Sequence, residues 1–157
     1  MAGSKYNFEE TKVDHVQALQ GRLRESDILE IMAATGRNPD IALMESFLQS
    51  NLCWTAFRKD KVIAIFGAAS VSILSETASP WMIGSKELNG AGIEIVKVSR
   101  YYVDQMKDRF SLLVNYIDAR QARSVRWLKW LGFIVEAPCA YGVEGLPFHR
   151  FWSKNYV

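Results

Sequence analysis

The apolar run VIAIFGAASVSIL, from Val62 to Leu74, constrains the fold of this chain more than any other feature. It contains 13 residues, whereas a helix that spans a membrane needs about 20. A run of this length, rich in β-branched residues, is typical of a strand that is buried on both faces. We therefore expect a sheet that is covered by helices on both sides, rather than a membrane span.

The segments around this run supply the other parts of such a sheet. The charged residues 58–61 join it to a preceding apolar strand, which predicts an antiparallel hairpin. Two or three helices precede the hairpin, and strands alternate with helices after it. The pattern predicts a single domain over residues 1–157, of the three-layer α/β or α+β class. Its sheet is expected to be mixed, mostly antiparallel, and built from about six or seven strands.

Composition excludes several classes of protein. A chain of 157 residues with 49% hydrophobic residues can bury about 70% of the surface that its unfolded state exposes. It therefore needs no disulfides or metal ions to stabilise its fold. Its formal net charge of +2 is too small to indicate a nucleic-acid partner by itself. Cys53 and Cys139 are isolated thiols without metal-ligand spacing, so we expect a reducing cytoplasm and no metal site. The first ten residues lack the apolar core of a signal peptide.

The segment RSVRWLKWLGF, residues 123–133, combines cations with tryptophans. At helical spacing, Arg123, Arg126 and Lys129 lie opposite the apolar face, and Trp130 falls among them, where the Arg126 guanidinium can cover its ring. Three interpretations stay open: a solvated cationic face, a contact surface for a partner protein, and a nucleic-acid surface. The small net charge argues against the third interpretation.

The same segment resembles the closing part of the GNAT acetyltransferase superfamily, in which a strand is followed by a helix and another strand. The helix of that superfamily typically reads Asn-x-x-Ala-x-x-x-Tyr-x-x-x-Gly-Phe. Gly132 and Phe133 match the pattern, while Gln121, Ser124 and Leu128 stand at its Asn, Ala and Tyr positions.

Longer stretches between Arg24 and Trp152 are similar to short GNAT-like proteins of tailed phages and prophages, which are related to the acetyltransferase-like internal virion protein of short-tailed phages. This resemblance implies transfer of an acetyl group from acetyl-CoA to an amine, on a small molecule or a protein, in the host cytoplasm. The alternative is a noncatalytic protein that keeps the fold and is associated with the virion or a host partner. The stretches are RESDILEIMAATGRNPDIALMESFLQS, AIFGAAS, SPWMIGSKEL, VNYIDARQARSVRWLKWLGF and GLPFHRF.

The resemblance also implies a loop of the form Gln/Arg-x-x-Gly-x-Gly/Ala, whose amides and following helix bind the pyrophosphate of acetyl-CoA. ELNGAG, residues 87–92, stands at this place, so Asn89, Gly90, Ala91 and Gly92 are the expected contacts. Glu87 departs from the pattern, because a carboxylate repels a pyrophosphate. The other interpretation is a glycine-containing turn that only begins a helix.

A third implication of the resemblance is a gap between the strands at residues 81–88 and 111–118 that accepts the pantetheine arm. Backbone groups of Ile83, Gly84 and Ser85 would then contact the thioester. Asn115 and Gln121 would hydrogen-bond the pantetheine amides.

Acetyl transfer needs a base for the amine and an acid for the leaving thiolate. Leu128 stands where the superfamily commonly has a tyrosine, and it cannot donate a proton. Together with Glu87, it motivates the noncatalytic alternative. The candidate acids are Tyr116 and Tyr141, and the candidate bases are Glu76, Glu87 and Asp118.

Overall fold

A computed structural model describes residues 5–70 and 72–155 of the chain. The helices are α1 Val13–Leu19, α2 Glu25–Thr35, α3 Pro39–Gln49, α4 Gly92–Arg109 and α5 Ala122–Trp130, and a 3₁₀ turn covers Lys86–Gly90. The strands are β1 Tyr6–Glu10, β2 Ser50–Arg58, β3 Lys61–Ala69, β4 Thr77–Gly84, β5 Leu112–Asp118, β6 Ile134–Val135, β7 Cys139–Tyr141 and β8 Leu146–Lys154.

All of these strands belong to one sheet with the order β1-β2-β3-β4-β5-β8-β6, and β7 also pairs with β8. Every pair is antiparallel except β4 and β5, which are parallel. The predicted mixed, mostly antiparallel sheet is thus confirmed, with eight described strands instead of six or seven. The additional strand is β7, whose three residues are too few for an alternating pattern.

Strand β3 occupies the interior of the sheet, as the apolar run predicts. Ile63 and Ile65 are fully buried, and the strand pairs with β2 on one side and β4 on the other. The run itself is longer than the strand, because β3 ends at Ala69. Ile73 and Leu74 lie beyond it in the connection to β4 and are 77% and 88% exposed.

Helices cover both faces of the sheet. Val16 and Leu19 of α1 and Leu43 of α3 pack on one face, in a cluster that includes Ile65. Side chains of α4 and α5 pack on the other face with residues such as Leu113. Burial of one such aliphatic side chain stabilises the fold by about 1.5–3 kcal/mol, so the two clusters hold the three layers together.

The α2–α3 connection follows its sequence signals closely. Gly36 ends α2 with a φ of 66°, a conformation that favours glycine. The side chain of Asn38 accepts hydrogen bonds from the backbone N–H groups of Asp40 and Ile41, and Pro39 opens α3. A cap of this kind contributes about 1 kcal/mol. It fixes the two helices that border the site described below.

Strands β4 and β5 part in the centre of the sheet. They pair only at Thr77 with Leu112 and at Ala78 with Leu113, although β4 continues to Gly84 and β5 to Asp118. Just beyond the paired residues, the Asn115 side chain donates to the Pro80 carbonyl across 2.8 Å. The predicted gap between these strands is therefore present, and it opens toward their carboxyl ends.

Candidate functional site

A cavity of about 240 Å³ lies in the gap between β4 and β5. It passes through the sheet, since its walls come from α2 on one face and from α4 and α5 on the other. Leu128, which stands at the tyrosine position of the superfamily pattern, is part of the wall from α5. Four residues for which the sequence resemblance implies a role at the site also line the cavity, namely Ile83, Asn115, Tyr116 and Gln121.

Glu30 of α2 is a cavity residue that the sequence does not single out. Its Oε1 atom accepts a 2.7 Å hydrogen bond from the backbone N–H of Asp118, and its Oε2 atom accepts a 2.9 Å bond from Gln121 Nε2. Burial raises the pKa of Glu30 to about 7; the Asp118 N–H opposes the rise, and the carboxylates of Asp27 and Asp118 add to it. A carboxyl group that titrates near neutral pH can act as a general base.

The backbone of Gly84 is already hydrogen-bonded within the protein. Its N–H donates to Asp27 Oδ2 across 2.9 Å, and its carbonyl accepts the Arg24 N–H across 2.8 Å. Asp27 is itself held by the Arg24 guanidinium. Arg24 and the first turn of α2 therefore cover the edge of β4 at this end.

Ser85 is engaged in the same way, because its N–H donates to the Ile63 carbonyl and its hydroxyl donates to the Glu87 carboxylate. This differs from the prediction that Gly84 and Ser85 offer their backbone groups to a thioester. Backbone groups alternate in direction along a strand, so Met82, between Pro80 and Gly84, directs its N–H and carbonyl toward the gap. The ligand-facing part of the β4 backbone thus lies before Gly84.

Tyr116 and Tyr141 are brought together as a stacked pair. Their ring centroids are 3.9 Å apart and their planes differ by 9°. Tyr116 lines the cavity, while Tyr141 lies against it from β7. Burial raises the pKa of Tyr141, and the neighbouring Tyr116 adds to the rise. Of the two predicted acids, Tyr116 is the one with access to the gap.

The three predicted bases lie elsewhere or are engaged. Glu76 stands beside Ser111 at the closed end of the strand pair, outside the residues that line the cavity, because β4 and β5 have not yet parted there. Asp118 is buried, and Arg120 binds both of its carboxylate oxygens. Neither carboxylate is placed like that of Glu30.

Glu87 makes an ion pair with Lys61 of the β2–β3 hairpin and accepts a hydrogen bond from Ser85. These two contacts lower the pKa of Glu87 to about 2. The carboxylate is thus neutralised by a cation from another element. The repulsion of a pyrophosphate that the sequence suggests is correspondingly weaker.

Two arginines flank the turn that leads into α4. Arg24 Nη1 donates to the Asn89 side-chain oxygen across 3.1 Å, and Arg123 Nη1 donates to the Asn89 carbonyl across 3.3 Å. Gly92, with a φ of 57°, then begins α4, whose first amides have no partner within the helix. The positive charge that the motif lacks at Glu87 is therefore supplied by α5 and by the residue before α2.

The cationic segment of α5 is not one continuous patch. Trp130 is 48% exposed, but Arg100 of α4, rather than Arg126, lies over its ring at 4.2 Å and donates to its carbonyl. The Arg123 side chain instead donates a hydrogen bond to the Asn89 carbonyl, in the turn before α4. The predicted pairing of Arg126 with Trp130 is wrong, because α4 runs beside the end of α5 and brings its own guanidinium.

None of the helices in the described ranges is long and apolar enough to cross a bilayer. The order of the strands, the single parallel pair that parts at its centre and the turn at the start of α4 define a GNAT-like α/β fold. No family model and no curated protein matches the sequence.

Solved structures show the same fold. The chain is similar to spermidine N-acetyltransferase from Vibrio cholerae, solved with CoA and spermine, with a TM-score of 0.71 and 11% identity over 97% of this chain and 96% of that one. It is similar to yncA from Salmonella typhimurium, solved with its cofactor acetyl-CoA, with a TM-score of 0.66 and 14% identity over 96% and 94% of the two chains. A GNAT-family acetyltransferase from Streptococcus pneumoniae gives a TM-score of 0.61 and 15% identity over 96% and 99%.

Proposed function

We propose that this protein is an N-acetyltransferase that uses acetyl-CoA and an amine acceptor. The observation that carries the proposal is the cavity between β4 and β5, which has Glu30 on its α2 wall and a cation-flanked turn beside it. A fold by itself is shared by many chemistries. These side chains support the proposal together with the solved structures that contain CoA or acetyl-CoA.

Acetyl-CoA supplies an activated acetyl thioester, and the residues of the gap fit its parts. Met82 offers backbone groups to the pantetheine amides, as an edge strand does to an added strand. Asn115 and Gln121 line the same space. The turn of Asn89, Gly90, Ala91 and Gly92, with Arg24 and Arg123 beside it, is suited to the pyrophosphate, because amides and guanidinium groups both bind phosphate oxygens.

In this proposal, one side chain accepts a proton and a second side chain donates one. Glu30 accepts the proton that the amine loses when its nitrogen bonds to the acetyl carbon. The Tyr116 hydroxyl donates a proton to the sulfur when the carbon–sulfur bond breaks. Both residues line the cavity, and general acid–base catalysis of this kind contributes about 10²–10⁴-fold to a rate.

Thermal unfolding with and without acetyl-CoA tests the proposal. Ligand at 100 times its dissociation constant should stabilise the protein by about 2.7 kcal/mol. Arg123→Ala should weaken binding by about tenfold or more, since a charge-assisted hydrogen bond is worth about 1.5–3 kcal/mol and about 1.4 kcal/mol corresponds to tenfold. Arg126→Ala, which removes an exposed cation from the same helix, is the matched control and should leave affinity unchanged.

The second candidate is a noncatalytic protein that retains the fold. It is favoured by Leu128, which places an aliphatic side chain in the cavity, and by the internal hydrogen bonds of Gly84. Absence of stabilisation at millimolar acetyl-CoA would support it. A phage or prophage source, the host cytoplasm and a virion location stay predictions from the sequence resemblance.

A further inference from the structure

A second cavity, of about 470 Å³, adjoins the first on the face of the sheet that α3 covers. It lies between the end of α3, the end of β3 and the middle of β4. Ser46, Trp81 and Asn115 line both cavities. A molecule in the second cavity can therefore reach the gap between β4 and β5 at the point where these strands part.

The walls of the second cavity carry several polar groups but no charged side chain. Besides the three shared residues, they consist of Gln49, Ala69, Ser70 and Ser79. Hydroxyl and amide groups both donate and accept hydrogen bonds. In the described ranges 5–70 and 72–155, the side chains of Ser46, Gln49 and Ser79 make no hydrogen bond to the protein, so these groups are available to a ligand.

Trp81 forms a rigid wall of this cavity. Its indole N–H donates to the Ser50 hydroxyl across 2.8 Å, and that hydroxyl donates to the Ser46 carbonyl. The bonds tie the ring to the junction of α3 and β2. A fixed aromatic surface beside a few neutral polar groups is the usual composition of a site for a small polar molecule.

We infer that the second cavity binds the acceptor of the proposed acetyl transfer, and that this acceptor is an amine on an uncharged, hydroxyl-bearing body, as in an amino sugar. The inference rests on the proposed function. Neutral donors and acceptors match hydroxyl groups, whereas recognition of a polycation needs carboxylates, and the residues that line this cavity include none. The Vibrio cholerae structure contains spermine; this cavity lacks the charge for such a ligand.

The orientation of the acceptor follows from the shared residues. Its body occupies the α3 side, among Ser46, Gln49 and Ser79. Its amine then points past Trp81 and Asn115 into the gap, whose α2 wall carries Glu30. A single negative group at the amine end suffices for one amino group, which reacts there as the neutral amine and gives up one proton to Glu30 as the amide forms.

An NMR titration tests the inference without requiring turnover. The indole N–H signal of Trp81 is assigned with Trp81→Phe, and glucosamine, spermidine and a short peptide with a free N-terminus are added to the CoA-saturated and the ligand-free protein. Glucosamine is expected to shift the Trp81 signal most strongly. With acetyl-CoA, it is expected to give the highest kcat/KM of the three.

Ser79→Val should raise the dissociation constant of glucosamine about tenfold, because a half-buried hydroxyl partner of the ligand is lost. Ser153→Val, which removes a hydroxyl from β8 outside both cavities, is the matched control. Thermal shift with acetyl-CoA verifies that both variants are folded. Ser46→Asp should shift preference toward spermidine.

Two results would overturn the inference: no shift of the Trp81 signal by glucosamine at tens of millimolar, or tighter binding of spermidine or the peptide. Failure of the proposed function has a different signature, namely that acetyl-CoA does not stabilise the protein. If acetyl-CoA does not bind, the titration of the ligand-free protein still shows whether glucosamine binds beside Trp81.

Discussion

At the scale of single residues, Glu30 combines a fixed position with a raised pKa. Its carboxylate is aimed into a cavity, and both of its oxygens are held by groups from the end of β5 and the start of α5. The hydrogen bonds fix the position of the carboxylate, while burial keeps its proton affinity high. A base at neutral pH needs both position and affinity.

Replacement of Glu30 by Gln should lower kcat by about 10²–10⁴-fold, because the amide cannot accept the proton of the amine. The wild-type rate should rise as pH increases through about 7, where Glu30 ionises. The measurement is a pH profile of acetyl transfer. Glu76→Gln, at the closed end of the strands, should keep both the rate and the profile; an unchanged profile in Glu30→Gln would remove Glu30 from the mechanism.

Leu128 offers a gain-of-function test at the same scale. Leu128→Tyr places a phenol in the wall of the cavity and should leave acetyl-CoA affinity roughly unchanged. Tyr116→Phe should lower kcat by about 10²-fold in the wild type, and by less in the Leu128→Tyr background, where a second acid is present. A double-mutant cycle measures this coupling; strictly additive effects would show that the two positions do not serve the same proton.

At the scale of elements, the turn before α4 depends on parts that are remote in sequence. Arg24 and Asn89 are 65 residues apart, and Arg123 reaches the same residue from α5. Lys61, at the start of β3, neutralises Glu87. The glycines let the chain adopt the turn, but its charge comes from three other elements.

The variant Gly92→Ala tests the role of this turn in ligand binding, and Gly145→Ala is its matched control. Both glycines have positive φ, 57° and 65°, and an added Cβ meets nothing within 4 Å at either position. Both variants should lose about 1–2 kcal/mol of stability through backbone strain. Only Gly92→Ala should also weaken acetyl-CoA binding, by about tenfold in a calorimetric titration. Equal affinities in the two variants would separate the turn from the ligand site.

The sequence predicts elements well where local chemistry decides them. The Gly36 signal predicts the end of α2, the Asn38 signal predicts the start of α3, and the apolar run predicts β3. Local patterns carry no information on Glu30, whose two partners lie 88 and 91 residues away. Its position in an amphipathic helix looks like that of any solvated carboxylate.

Arg100 over Trp130 is missed for the same reason. Spacing along the sequence identifies only the i, i+4 neighbour of Trp130, which is Arg126. It gives no information on Arg100, which comes from the adjacent helix α4. Helices and strands are therefore predictable here to a large extent. The side chains that meet across elements are not, because their proximity is created by tertiary packing.

At the scale of the whole molecule, the raised pKa of Glu30 makes stability depend on pH. A carboxyl group whose pKa rises from 4.5 to about 7 on folding favours the folded state at low pH. That contribution is fully present below about pH 4.5 and is lost as pH rises through about 7. Thermal unfolding from pH 4.5 to 8 should therefore show a steeper fall in Tm for the wild type than for Glu30→Gln. Parallel curves would contradict the shifted pKa.

The sheet also predicts a pattern of hydrogen exchange. Beyond Ala78 and Leu113, β4 and β5 do not pair with each other, so the Met82 amide should exchange faster than the Ile65 amide in the interior of the sheet. Acetyl-CoA in the gap should slow the exchange of Met82 and leave Ile65 unchanged. The contrary result, slow Met82 exchange without ligand, would mean that the gap is closed in solution.

The parting of β4 and β5 has a consequence for the order in which two substrates bind. Trp81 and Asn115, which line the proposed acceptor cavity, belong to β4 and β5 on opposite sides of the gap. These strands are joined through two paired positions and through the hydrogen bond from Asn115 to the Pro80 carbonyl. Beyond these contacts the gap is open, and in the proposed complex the pantetheine arm fills it and completes the wall that the amine meets. Kinetics should then be sequential, with the thioester bound before the amine, and the acceptor should bind weakly to the protein alone.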